Sequence, residues 1–188
     1  MPMETMHNNP WKILSSQVQY DNNWIRLTEH QVLNPAGGPG IYGVVHFKNL
    51  AIGVVALDGE QHIYLVGQYR FPLEQFTWEI PEGGGPLGGD PLVSAKRELL
   101  EETGLVASQW ELIVHMHLSN SVSDEKGIVY LARGLEQRTA QPEETEELTT
   151  QRIPFEQAYE MVKTHQITDS LSIAAIQKIK LMMLEGEL

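Results

Sequence analysis

Gly83-Gly-Gly-Pro-Leu-Gly-Gly-Asp-Pro-Leu-Val-Ser-Ala-Lys-Arg-Glu-Leu-Leu-Glu-Glu-Thr-Gly-Leu105 is the stretch that decides how this chain folds. It begins inside a glycine-rich segment, Pro81 to Gly89, whose composition predicts a loop. A helix follows. Asp90 is a good N-cap, Pro91 suits the first helical position, and Gly104 is a natural stop. On a wheel of about 100° per residue, Leu92, Val93, Leu99 and Leu100 fall on one side, with Glu98, Glu101 and Glu102 opposite. Lys96 lands among the apolar residues. Three carboxylates at the C-terminal end of a helix oppose its dipole, and Glu98 and Glu102 form an i,i+4 like-charge pair. A divalent cation would turn that repulsion into ligation. The plainer reading of a bare Glu-x-x-Glu-Glu is a solvated acidic face, which is the commoner case.

Outward from this helix, strands dominate. Trp11 to Leu33 reads as two strands split at Asp21-Asn22-Asn23, and Asn34 to Gly40 as a loop rich in Gly and Pro. Strands are expected over Tyr42–Phe47, Leu50–Leu57, His62–Gln68 and Phe76–Ile80, with Asp58-Gly59 as a hairpin signal. Beyond the helix, strands are expected near Trp110–Leu118 and Gly127–Arg133. An acidic loop at Gln141–Glu147 and a short strand come next. Helices over Phe155–Thr164 and Ser170–Leu184 follow. One helix among strands and two at the end predict an α+β fold, an α/β/α sandwich with a mixed sheet and an antiparallel N-terminal strand extension. The expected division is residues 1–40 as tail, strand extension and dimerisation element, and residues 41–188 as the main domain.

Composition narrows the function. The chain has 188 residues and is 41% hydrophobic, enough for one well-buried core. It has no cysteine, which excludes disulfides, thiolate zinc sites and a cysteine nucleophile. Thirteen basic residues against 25 acidic ones give a net charge of -12. That balance works against nonspecific nucleic-acid binding, and an acidic protein acting on phosphates would need metal ions as bridges. No signal-peptide pattern opens the sequence and no apolar run approaches the roughly 20 residues of a membrane span, so a cytoplasmic protein is expected.

The helix and its preceding glycines resemble the Nudix signature. Gly83 takes the first glycine position, and Arg97-Glu98-Leu99-Leu100-Glu101-Glu102-Thr103-Gly104-Leu105 fills the second half at the family's spacing. One position departs: Gly89 stands where the family has its first Glu, a residue that tends to pair with the signature Arg. The flanks Gln68-Tyr69-Arg70, Trp78-Glu79-Ile80-Pro81 and Ile167-Thr168-Asp169-Ser170-Leu171-Ser172 look like the ADP-ribose pyrophosphatase and nucleoside diphosphate sugar hydrolase branch.

The resemblance implies a set of roles. Glu98 and Glu102 are the expected main metal ligands, joined by Glu101, by the carbonyl of Glu82 and by Glu146. The metal would be magnesium, with manganese as the alternative. Glu144, in Pro142–Leu148, is the expected general base, with Glu101 and Arg97 also placed in the catalytic set. Arg70 is a candidate phosphate clamp, since a guanidinium pairs with two phosphate oxygens. Glu79 is a candidate for ribose hydroxyls or an outer metal. Trp24 is a candidate to stack on the base across a homodimer interface. The expected substrate is ADP-ribose or a related nucleoside diphosphate sugar. A dinucleoside polyphosphate, a capped RNA end, or a sensor that binds a nucleotide without turnover are the alternatives; Gly89 is the sequence support for the last. His115 and His117 share a strand face but lack a third ligand nearby. Gly83-Gly84-Gly85 is not a P-loop, because no Gly-Lys-Ser/Thr follows.

Overall fold

A computed structural model describes residues 8–138 and 148–188. In chain order the elements are β1 (Lys12–Asp21), β2 (Ile25–Leu33), β3 (Pro39–Phe47), β4 (Asn49–Ala56), β5 (His62–Arg70), β6 (Gln75–Glu79), β7 (Glu82–Pro86), α1 (Pro91–Thr103), β8 (Leu105–His117), β9 (Lys126–Gln137), β10 (Thr149–Pro154), α2 (Phe155–Lys163) and α3 (Ser170–Glu185). A single 3₁₀ turn, Phe71–Leu73, joins β5 to β6. The candidate ligand Glu146 and the candidate base Glu144 lie outside the described residues. No helix among the described residues is long and apolar enough to cross a membrane.

The chain divides into two compact units. One comprises Met1–Lys48 and Ser119–Glu125, the other Asn49–Leu118 and Lys126–Leu188. The first unit is an antiparallel sheet in the order β1-β2-β3. Its turn between β1 and β2 is closed by Asn22, whose Oδ1 accepts from the backbone N–H groups of Trp24 and Ile25. The Ser119–Glu125 segment is stitched to β3: Val45 N–H donates to Val122 O, and Asp124 Oδ1 accepts from Phe47 N–H. Tyr42 Oη donates to Ser121 O at 2.6 Å.

The second unit holds two sheets, β10-β5-β6 and β7-β4-β9-β8, the latter mixed because β4 and β9 run parallel. Strand periodicity creates its two cores. Along β4, Ile52, Val54 and Ala56 face one side with Ala95 and Leu99 of α1. Val55 faces the other side with Ile176 and Ile179 of α3. β9 splits likewise: Ile128, Tyr130 and Ala132 join the first cluster, Val129 and Leu131 the second. This period of two on a sheet buried on both faces gives the expected α+β sandwich.

Two expectations are corrected. Pro81–Gly89 was expected to be a loop, but Glu82–Pro86 is strand β7, paired antiparallel with Asn49–Gly53. Glycine weakens a strand by entropy, yet here the ladder with β4 holds it, and the missing side chains let α1 approach. A Cβ on Gly85 would press on Ile52 and on Ser94 of α1. The second correction concerns the helix face. Val93 was expected on the apolar side but is 64% exposed. The buried stripe of α1 is Ser94, Ala95, Glu98, Leu99, Glu102 and Thr103. Close approach of a glycine strand selects small residues and the two carboxylates for the interior face. Lys96 resolves its awkward wheel position by lying over the Trp110 ring, 6.0 Å from its centroid.

Candidate active site

The helix N-terminus forms as its sequence dictates. Asp90 accepts from Leu92 N–H and Pro91 occupies the first turn. At the other end Gly104 is left-handed, with φ 71°, and its N–H bonds to Leu100 O. The last turns of α1 therefore carry their carboxylates against β7. Glu98 is 8% and Glu102 4% exposed. Glu102 Oε2 accepts from Glu82 N–H at 3.0 Å. Two carboxylates buried on one helix face are not a solvated acidic surface. Carboxylates are almost never buried without compensation.

Arg97 provides part of that compensation. Its Nη2 donates to Glu98 Oε1 and to Gly84 O, and its Nη1 to Glu101 Oε2. Burial alone would lower the Arg97 pKa, but Glu98 and Glu101 outweigh it and hold the guanidinium above its usual value. The signature arginine is thus braced although Gly89 supplies no carboxylate. Glu101 sits at the outer edge of the group, on Arg97.

A second cluster adjoins the first through Glu82. Arg70 Nε donates to both oxygens of Glu79, and its Nη2 donates to Glu79 Oε2 at 2.7 Å and to Glu82 Oε1 at 2.6 Å. Thr77 Oγ1 donates to Glu79 Oε1. Glu79 is 1% exposed while the Arg70 side chain is 36% exposed, so this bidentate pair has a buried carboxylate and a guanidinium that reaches the surface. Burial works against the Arg70 charge too, but Glu79, Glu82 and Asp169 hold its pKa up. Asp169 completes the group: Glu79, Glu82 and Asp169 bring carboxylate oxygens within 4.8 Å of one another. Burial first, then Asp169 and Glu79, push the Glu82 carboxyl well above the ordinary range. Its Oε2 is buried with no hydrogen-bond partner among the described residues.

The structure thus gathers Glu98, Glu101, Glu102 and Arg97 on α1 against β7, and Arg70, Glu79 and the Glu82 side chain in an adjoining cluster, with the Glu82 backbone N–H linking the two. Trp24 belongs to the other compact unit, 66% exposed on the β1–β2 turn. His115 and His117 stay exposed on β8 and enter no metal-type cluster among the described residues. Asp169 and the Glu82 side chain were not singled out in the sequence. Asp169 reads fully as the N-cap of α3, where it accepts from Ser172 N–H, and that role hides the other. Ser172 was missed as well: fully buried, its Oγ accepts from Ile80 N–H and ties α3 to the strand end before β7.

Residues 47–174 match the Nudix domain, and residues 11–45 match the nucleoside diphosphate sugar hydrolase N-terminal domain. The chain belongs to the Nudix family. This Nudix chain is 34% identical over 176 residues to an ADP-ribose pyrophosphatase of Mycobacterium tuberculosis, covering 91% of this chain and 84% of that one. It is 31% identical over 172 residues to a methanol dehydrogenase activator of Bacillus methanolicus, covering 90% and 92%. Its fold matches the crystal structure of an ADP compounds hydrolase with a TM-score of 0.83 at 17% identity, over 95% of this chain and 97% of that chain.

The departure of this Nudix chain at Gly89 yields a first prediction. Gly89 is not left-handed; the positive φ in this turn belongs to Gly88. A Cβ on Gly89 would sit 3.0 Å from Pro86 Cγ and 3.3 Å from Pro86 O, so the turn must give by a few tenths of an ångström to admit it. Gly89→Glu is therefore expected to fold normally and to change stability by about 1 kcal/mol or less, since an added partly exposed pair with Arg97 contributes little. Thermal melting checks this. A loss above about 2 kcal/mol would mean that the turn requires glycine itself.

Proposed function

We propose that this Nudix pyrophosphohydrolase cuts the pyrophosphate bond of ADP-ribose or a related nucleoside diphosphate sugar, giving a nucleoside monophosphate and a sugar phosphate, with magnesium as the metal and manganese as its alternative. The observation that carries the reading is the burial of Glu98 and Glu102 against β7, with Glu82 N–H on Glu102. The donor set fits the ion. Carboxylate oxygens are hard ligands of the kind magnesium accepts. Glu98, Glu102 and the Glu82 carbonyl would hold it, with Glu101 and Glu146 as further ligands. A divalent metal there would supply charge neutralisation for the pyrophosphate and acidify a bound water.

The chain's own residues divide the remaining work. Arg97 fixes the orientation of Glu98 and Glu101 through the bonds described above. Arg70, Glu79 and Trp24 serve substrate binding. Glu144 takes the proton from the attacking water. Substituting Glu143, Glu144, Glu146 and Glu147 one at a time by Gln tests that assignment. The expected result is a strong fall in turnover for Glu144→Gln with little change in KM, and a smaller deficit at high pH, where hydroxide is more available. Four variants with native turnover would remove this segment from the mechanism.

We also propose a homodimer built through residues 1–40, with residues 41–188 as the catalytic domain. Every residue of β1 is exposed, including Ile13, Leu14, Val18 and Tyr20, and Ile41 on β3 is 66% exposed. A ten-residue edge strand that exposes four large apolar side chains calls for a covering partner. Light scattering at micromolar concentration is expected to give twice the chain mass; a monomer would contradict it. The substrate is tested by a magnesium-dependent hydrolysis screen over ADP-ribose, GDP-mannose, UDP-glucose and dinucleoside polyphosphates. Preference for a dinucleoside polyphosphate would overturn the sugar-nucleotide reading.

A further inference from the structure

We infer that the cavity beside Glu82 is the subsite for the sugar half of the substrate, and that Asp169, Glu82 and Thr168 read the sugar through its vicinal hydroxyls. The inference rests on the nucleoside diphosphate sugar reading above. The cavity measures about 390 Å³, and its lining combines three kinds of surface. Glu79, Glu82 and Asp169 supply carboxylates; Thr168 and Ser170 supply hydroxyls; Pro72 and Leu73 form an apolar wall.

Charge decides which part of the substrate suits this cavity. Even without counting Glu82, the carboxylates of Glu79 and Asp169 outnumber the one cation, Arg70, among the described residues that line it. A diphosphate entering such a lining is repelled. A neutral group rich in O–H donors is attracted, because hydrogen bonds to ionised acceptors are about twice as strong as neutral ones. Vicinal hydroxyls can bridge acceptor oxygens held as close together as those of Glu82 and Asp169. The apolar wall suits the C–H face of a sugar ring.

The acceptors are also held in place before any ligand arrives. Arg70 clamps Glu79 with a bidentate pair and Glu82 with a third contact, which holds both carboxylates in place. Asp169 is fixed by its bond from Ser172 N–H. Glu82 Oε2 is a buried polar atom with no hydrogen-bond partner among the described residues, and a hydroxyl in the cavity would give it one. The cavity meets the signature carboxylates at Glu82, whose backbone N–H is on Glu102 while its side chain lines the cavity. One residue therefore touches both the sugar subsite and the group that handles the phosphates. A lone metal ion explains the carboxylates but not the cavity's size, its apolar wall or Arg70 in its lining.

The test compares ADP-ribose with methyl-ADP, which has the same base and pyrophosphate but no sugar beyond it. Native protein is expected to favour ADP-ribose in kcat/KM by about ten-fold or more. Asp169→Asn keeps an N-cap for α3, since Asn caps as well as Asp, while removing the charge. Thr168→Val removes a hydroxyl without touching the cap. Each is expected to lower the ADP-ribose to methyl-ADP ratio by about ten-fold, through the KM for ADP-ribose. A ratio unchanged in both variants overturns the subsite while leaving pyrophosphate hydrolysis standing. A higher magnesium requirement for both substrates, with the ratio unchanged, overturns it in favour of an ion at the cluster. If native protein cleaves neither substrate, the function proposed above fails and takes the subsite with it.

Discussion

Glu98→Gln and Glu102→Gln are each expected to lower turnover by about a hundred- to a thousand-fold at saturating magnesium, with the fold unchanged. The size follows from the role. A bound metal contributes several kcal/mol of charge stabilisation, and each 1.4 kcal/mol lost is about ten-fold in rate. A neutral amide is a poor ligand for a hard cation. Both side chains lie on the buried face of α1, where Gln has nearly the same shape as Glu, so packing against β7 survives. Circular dichroism and a thermal melt separate this outcome from misfolding. Near-native turnover in both variants would show that the ligand set is wrong.

Gly83→Ala is expected to reproduce most of that loss without altering any charged group. A Cβ on Gly83 would land within the Glu98 carboxylate itself. The obstacle is the far end of a flexible side chain, so Glu98 swings away and the backbone stays. Turnover is expected to fall by about a hundred-fold or more, because displacing a positioned group by about 1 Å is enough for such a loss. Stability is expected to change by about 1 kcal/mol, the ordinary effect of a single substitution. Native turnover in Gly83→Ala would mean that the orientation of Glu98 in this structure is not the working one. A collapse of stability would mean that β7 cannot shift at all.

Much of the architecture is legible in the sequence where local chemistry acts alone. The limits of α1 follow from Asp90, Pro91 and Gly104, because caps and stops are properties of one or two residues. The alternation of β4 and β9 and the order of α2 and α3 follow from periodicity. What local chemistry cannot supply is partnership. Glu82–Pro86 looks like a loop until β4 is beside it, since its glycines carry no side-chain pattern to betray a strand. The true buried face of α1 is fixed by that glycine strand, so Val93 turns outward and two carboxylates turn inward.

The candidate site divides the same way. Glu98, Glu101, Glu102 and Arg97 are found because they share one helix at fixed spacing. Arg70 and Glu79 stand out in the sequence, but their bidentate pair is visible only once β5 and β6 are side by side. Asp169 joins them from far along the chain. Its sequence context explains it completely as a helix cap, so nothing local signals a second task. The Glu82 side chain is hidden for a related reason: the resemblance assigns only its carbonyl, while the residue links the two clusters through its carboxylate on Arg70 and its N–H on Glu102.

The central claim is that the buried carboxylates of α1 hold a divalent ion that the reaction requires, and that the reaction cuts the pyrophosphate bond. Its most direct test is product analysis by anion-exchange chromatography after native protein meets ADP-ribose, with magnesium and with the magnesium chelated. The expected products are AMP and ribose 5-phosphate in equal amounts with magnesium, and none after chelation. Equal rates with and without the metal, or release of ADP and free ribose in place of AMP, would contradict it.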